Sequence, residues 1–274
     1  YDQFVAGDID VLAQIPPVFV EPLLQQDFKI ASQPSLEVNF LLFGRDNVNS
    51  VFRHQELREA ISYLFEGEEL TTYASEFAHP INQFVSRGIF GYNSDIETKE
   101  LDAEYAREIT DSLGSDLEVT LDLPEGLESF GDYVEDQLAR ISVDVNVEIH
   151  DADDYSDLVL SGDSEFFFFG WRSDLGDAGN FFNSVVHSTT KDGEYGAFNQ
   201  GRYSNDDIDD LIEEIDRNVI ESERLEQLQE LMDLVVNQEV IGIPLFETDV
   251  LVGIQSDLEW EPRVDNFILA ADFK

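Results

Sequence analysis

The stretch LEVTLDLPEGLESFGDYVEDQLARISVDVNVEIHDADDYSDLVLSGDSEFFFFGW, residues 117–171, decides the fold. LEVTLDL (117–123) and VDVNVEIH (143–150) alternate apolar with polar residues, the period of a strand. Between them LESFGDYVEDQLARI is amphipathic at helical spacing, and DADDYSDLVLSG opens on aspartates suited to cap a helix. EFFFFGW is a continuous apolar run of strand length, as in a strand buried on both faces. Strand, helix, strand, helix, strand predicts an α/β layer with a mainly parallel sheet flanked by helices.

Working outward, FVAGDIDVLAQIPPVFVEPLLQQ suggests a strand-like turn and a short helix after Pro16-Pro17. LEVNFLLFG (36–44) is β-rich, and QELREAISYLF (55–65) has helical spacing. Residues 72–92 mix Pro, Gly and Asn with aromatics and are expected to form a packed loop. AEYAREITDSLG is expected to be a helix ended by Gly114. NDDIDDLIEEIDRNV and SERLEQLQELMDLVVNQ predict two longer helices, and IGIPLFETDVLVGI closes as β-structure.

The chain has 274 residues, 42% hydrophobic and 12% aromatic, enough for a large core and far from the composition of a disordered acidic chain. Sixty Asp and Glu oppose fifteen Lys and Arg, a formal net charge of −45. Such a chain repels nucleic acid and anionic membrane surfaces, so neither is an expected partner. The acids are spread along the whole length, unlike an interaction tail, and no dense liganding loop recurs, unlike a cation buffer. The distribution fits a solvated coat in a salt-saturated environment, where the Debye length falls to about 3 Å at 1 M and self-repulsion is screened.

There is no Cys, so disulfides, thiolate metal sites and Cys nucleophiles are excluded. No G-x-S-x-G elbow, Walker loop or G-x-G-x-x-G is present. His54, His79, His150 and His187 are far apart and lack zinc-site spacing, so each is expected to be a surface or loop side chain, with no metal and no cofactor. DLGDAGN (174–180) fails the EF-hand template. The functional expectation falls on Trp171, Arg172 and Asp174, just past the end of the Phe-rich strand. In open α/β sheets ligands sit there, and an aromatic wall with a few placed polar groups suits a small-ligand pocket.

Several stretches carry a family resemblance. FVAGDIDVLAQIPP, FLLFGRDNVNSVFRHQELREAISYLFEGEEL with Arg58 and Ala60, FGWRSDLGDAGNFF, FNQGRYSNDDIDDLIEEI and IGIPLFE occur in an order that resembles the oligopeptide-, dipeptide- and nickel-binding proteins of ABC importers, family 5 of the extracellular solute-binding proteins. The resemblance implies a periplasmic-binding-protein-like lobe, an incomplete second lobe, and a non-enzymatic receptor that closes on a small peptide or similar polar solute and delivers it to a membrane permease. It implies an extracellular, lipid-anchored monomer of which this chain is about the C-terminal half, an expectation that its start at Tyr1 shares. The lobes would be residues 1–35 (remnant of the first lobe and hinge), 36–253 (ligand-binding lobe) and 254–274 (return segment).

By motif position, Asp174 would hold the ligand's ammonium, with Gly170 and Trp171 in the same motif. Phe182 and Phe246 are candidate walls and Arg172 a candidate anion contact. The sequence departs from peptide binders where four Phe replace a strand with basic residues, and where Phe43-Gly44 replaces an Asn, which points to a different or less acidic ligand. The rivals are a sensor domain of the same fold fused to another module and, disfavoured by the lack of a nucleophile or metal constellation, a hydrolase. The acidic coat itself makes a prediction: far-UV circular dichroism melts should show loss of structure in dilute buffer and recovery in molar KCl, and a melt insensitive to salt would refute it.

Overall fold

A computed structural model describes the chain except for residues 14, 16–18, 46–49, 75–76, 112, 115–116 and 264–266. The strands are β1 (Val11–Leu12), β2 (Lys29–Phe43), β3 (Ala78–Pro80), β4 (Leu117–Pro124), β5 (Val143–His150), β6 (Phe166–Arg172) and β7 (Gly242–Ile254). The α-helices are α1 (Asp2–Val5), α2 (Val20–Leu24), α3 (Gln55–Ile61), α4 (Gly67–Ala74), α5 (Ala103–Thr110), α6 (Glu128–Ala139), α7 (Ala152–Ser161), α8 (Gly179–Phe181), α9 (Asp206–Arg217) and α10 (Glu221–Asp233).

The strands form one sheet in the order β1-β7-β2-β6-β4-β5, with β3 also paired to β7. The α/β class and the helix-covered sheet are as expected. The expectation of a mainly parallel sheet is corrected to a mixed one. Among the named strand pairs only β4–β5 and β4–β6 are parallel, and β4, β5 and β6 are the strands joined in turn by the crossover helices α6 and α7. β2 and β7 enter from outside that unit and pair antiparallel with each other, β2 also with β6 and β7 with β1 and β3.

Local chemistry accounts for the elements. Asp151 caps α7 by accepting from the amides of Asp153 and Asp154, and Gly162 ends it in the left-handed conformation at φ 75°. Asn205 caps α9 above three aspartates in the first turn, where the helix dipole favours negative charge. α5 stops at Thr110, four residues before Gly114, so Gly114 is not its cap. The expected loop at 72–92 includes the end of α4 and the short strand β3, which borrows its ladder from β7. The helix expected after the proline pair begins at Val20, and Pro16 and Pro17 themselves lie outside the described residues. Among the described residues no helix is long and apolar enough to cross a membrane.

Two large cores lie on opposite faces of the sheet. On the first face Leu41, Phe43, Phe166, Leu121 and Ile243 pack under α3, α5 and α6. On the second, Val38, Phe40, Leu42 and Phe167 pack under α9, α10 and the segment around Phe84 and Ile89. α6 covers the first face, whereas α7 contributes Val159 to the second. The chain therefore leaves the adjacent strands β4 and β5 toward opposite faces. Two smaller cores gather at the far ends of β2 and β7: Phe4, Ile15, Val20, Leu23 and Leu251 in one, Val252, Ile254 and Trp260 in the other. Between the large and small cores the β2–β7 register shifts, between Pro34 and Val38.

Arg58 and Ala60, which carry part of the resemblance, have structural roles. Ala60 is fully buried. The Arg58 guanidinium, 2% exposed, donates to the carbonyls of Phe52 at 2.7 Å, Val240 at 3.0 Å and Glu239 at 2.7 Å. Burial lowers its pKa to about 10, leaving the cation intact at neutral pH. It fastens α3 to the turn before β7. Phe166, fully buried with its ring centroid 5.2 Å from those of Phe43 and Phe52, is the point where β6 enters the first core. Phe166→Ala should cost about 3–5 kcal/mol through lost transfer energy and a residual cavity, read from urea denaturation in molar KCl. A loss below about 1 kcal/mol would show that the core collapses around the site.

Candidate ligand-binding site

The Phe run divides between the two faces. Phe166 and Phe168 pack into the first core, and Phe167, Phe169 and Trp171 into the second. At Gly170 the strand emerges from the first core. A Cβ there would meet Glu37 Oε1 at 3.1 Å and Asn39 Oδ1 at 3.3 Å, so glycine leaves room beside two polar side chains. In the ladder Asn39 stands opposite Gly170 on one side and Phe246 on the other, and Glu37 stands opposite Arg172. β4 pairs with β6 only at Asp122 and Phe167, so beyond Gly170 the edge of β6 turned away from β2 has no strand partner among the described residues.

Past β6 the chain turns sharply. The Ser173 amide donates to the Leu36 carbonyl, and Arg172 Nε lies 2.7 Å from Asp174 Oδ1. The Asp174 side chain is 70% exposed. The loop is held in place further on. Asp177 takes a two-pronged bond from Arg224, at 2.6 and 2.9 Å, and the main chain of 176–178 bonds to Phe90. Beside this turn lies an open groove of about 850 Å³, lined by Leu36, Arg87, Arg172, Asp174, Leu175 and Phe267 among others. It carries both signs of charge on partly apolar walls, with Leu175 and Phe267 mostly exposed.

Of the expected site residues, Arg172 and Asp174 meet in the groove, Gly170 opens the strand beside them, and Phe246 shares Gly170's row across Asn39. Trp171 and Phe182 lie on the opposite face. Trp171 packs against Phe181 and Phe198, and its buried Nε1 lacks a hydrogen-bond partner among the described residues. Phe182 is fully buried in the second core and presents no surface. His187, expected at the surface, is instead buried and stacked on Tyr195 at 4.2 Å, because the loop after α8 folds back over it.

Glu37, Asn39, Arg87 and Glu247 were not singled out from the sequence. Glu37 and Asn39 left a signal, two polar residues at alternate positions of an apolar strand, which marks one open face. Arg87 left none. Glu247 on β7 is 7% exposed, and its Oε1 has no hydrogen-bond partner among the described residues. Desolvation raises its pKa, against the opposing pull of Ser86, His79 and Arg87.

The chain is similar to known proteins over most of its length. The family model described as bacterial extracellular solute-binding proteins, family 5 Middle, matches residues 1–193. Heme-binding protein A of Haemophilus influenzae is 21% identical over 262 aligned residues, covering 87% of this chain and 44% of that protein. Among solved structures, the periplasmic binding protein DppA of Helicobacter pylori in complex with the peptide STSA superposes with a TM-score of 0.82 at 20% identity, over 99% of this chain and 53% of that one. The substrate-binding protein CtaP of Listeria monocytogenes gives 0.85 at 19% identity, over 99% and 57%. This chain thus spans about half the length of these relatives.

Burial of Glu247 has a consequence for stability. A carboxyl whose pKa is raised on folding opposes folding once ionised. The penalty is absent below its ordinary value of 4.5 and grows as pH rises through the raised value. Glu247→Gln should therefore raise the melting temperature at pH 7, with the gain shrinking toward pH 4, in thermal melts at constant high salt. A variant less stable than the wild type at pH 7 would show instead that the ionised carboxylate is held by favourable contacts. With the family model matching more than half of its residues, the chain belongs to the family 5 bacterial extracellular solute-binding proteins.

Proposed function

We propose that this chain supplies the ligand-binding lobe of an extracellular ABC-importer receptor for a zwitterionic, peptide-like solute. The observation that carries the reading is the emergence of β6 at Gly170, where an unpaired strand edge adjoins a groove holding Asp174, Arg172 and Arg87. An extended main chain adds to such an edge by strand hydrogen bonds, while placed charges select its ends. Asp174 receives the ammonium, with Glu37 as a second carboxylate across the ladder. Arg87 offers the anion contact that the Phe run lacks, and Arg172, already beside Asp174, turns with it. The relative from Helicobacter pylori, which holds the peptide STSA, supports this ligand class.

Membership of the family supports delivery to a permease and closure of a second lobe, and cell-surface anchoring is part of the same proposal. We place the crossing between lobes at the register shift of β2 near residues 35–37 and at Thr248–Asp249 of β7. That second point lies short of 253, because Val250–Ile254 pack with the N-terminal segment. In the full-length receptor, Asp174→Ala should weaken a tetrapeptide by about 1.5–3 kcal/mol, the worth of a hydrogen bond to a charged group, measured by calorimetry in molar KCl. Unchanged affinity would remove Asp174 from the site.

A further inference from the structure

A second cluster lies away from the groove, on β4 and β5. Asp122 and Glu148 are partners across the parallel ladder, and His150 follows two residues later, where β5 ends. One donor atom from each lies within 4.8 Å of the other two. His150 Nε2 is 2.7 Å from Asp122 Oδ1, Ser164 Oγ donates to Asp122 Oδ2, and Asn146 Nδ2 donates to Glu148 Oε1 at 2.9 Å. Asp122, Glu148, His150 and Ser164 border a cavity of about 380 Å³, which Asp163 and Glu165 also line.

Three observations point to a cation. First, Asp122 is 4% exposed, and among the described residues its only ion-pair partner is His150. A buried carboxylate needs a compensating positive charge, and three further carboxylates line the same cavity. Its single arginine, Arg202, donates instead to the Ser161 carbonyl. A metal ion bound between these groups would supply that charge. Second, the donors are one imidazole nitrogen and two carboxylates, a set suited to borderline divalent metals. With metal–donor bonds of about 2.0–2.1 Å, Asp122 and His150, 2.7 Å apart, need only part slightly to admit an ion between them. Glu148, exposed, closes the remaining distance by rotating. Third, the chain leaves β4 toward α6 on one face and β5 toward α7 on the other. Adjacent strands that exit to opposite faces open a crevice near their carboxyl ends, the usual ligand position in α/β sheets.

We propose that Asp122, Glu148 and His150 form a binding site for a borderline divalent cation such as Zn²⁺, separate from the solute groove. The test is calorimetric titration of the chelator-treated 274-residue chain with Zn²⁺ in molar KCl at pH 7.5, with melting temperature recorded in parallel. The expected result is one saturable zinc per chain above the weak background of the acidic coat, with a raised melting temperature. Glu148→Gln and His150→Gln should each weaken it at least tenfold, as ligand loss predicts, while Asp210→Asn on α9 leaves it unchanged. Glu148 is exposed, so its variant tests the site even where the His150 variant fails to fold. Absence of a saturable event, or a Glu148→Gln titration equal to the wild type, would overturn the site and leave His150–Asp122 a structural pair.

Discussion

The structure depends on β6 being apolar on both faces. A strand at the centre of a sheet with a core on each side cannot place a charge without burying it, and burying an unpaired charge is far costlier than losing a hydrophobic contact. Phe166 to Phe169 answer that constraint, two rings to each core. The polar chemistry is deferred to the point where the strand outruns its covering helices. There Gly170 removes the last side chain from the open face, and Arg172 and Asp174 follow at once. The position of the groove is thus a consequence of where the two cores end.

The sparse cations show the same economy. Fifteen basic side chains face sixty acids, and several are engaged at internal joints rather than on the surface. Arg58 fastens α3, Arg224 grips Asp177 under the loop that follows β6, and Arg45 lies over the Tyr203 ring beside Glu239. Such part-buried contacts are screened less by salt than surface pairs are. A large excess of acids can therefore coexist with a few ion pairs at internal joints. The cavity at Asp122 is the exception, where four carboxylates converge on one imidazole and one arginine, and Asp122 pairs with the imidazole.

β2 and β7 connect the large cores to the small ones. Each is long enough to serve both, and the shift in their register between Pro34 and Val38 marks where one packing regime gives way to the other. Strands that run through such a junction are suited to bend there, because the local break in the ladder lowers the cost of changing the angle between its two sides. The groove lies beside this junction, with Gln33 and Pro34 among its lining residues.

The sequence by itself determined the elements of residues 117–171, the capping of α7 and α9, the two-sided burial of the Phe run and the placing of Arg172 and Asp174 just past the end of that run. All are set by residues within a turn or a strand of one another, where periodicity and local hydrogen bonding speak directly. Tertiary structure alone decided that β2 and β7 run antiparallel, that Trp171 and Phe182 face away from Gly170, that Arg87 enters the groove, and that Asp122 meets His150. Each of these depends on pairing between segments tens or hundreds of residues apart. Pairing direction and strand neighbour are chosen by the global burial of apolar surface, which leaves no local mark on the residues it brings together.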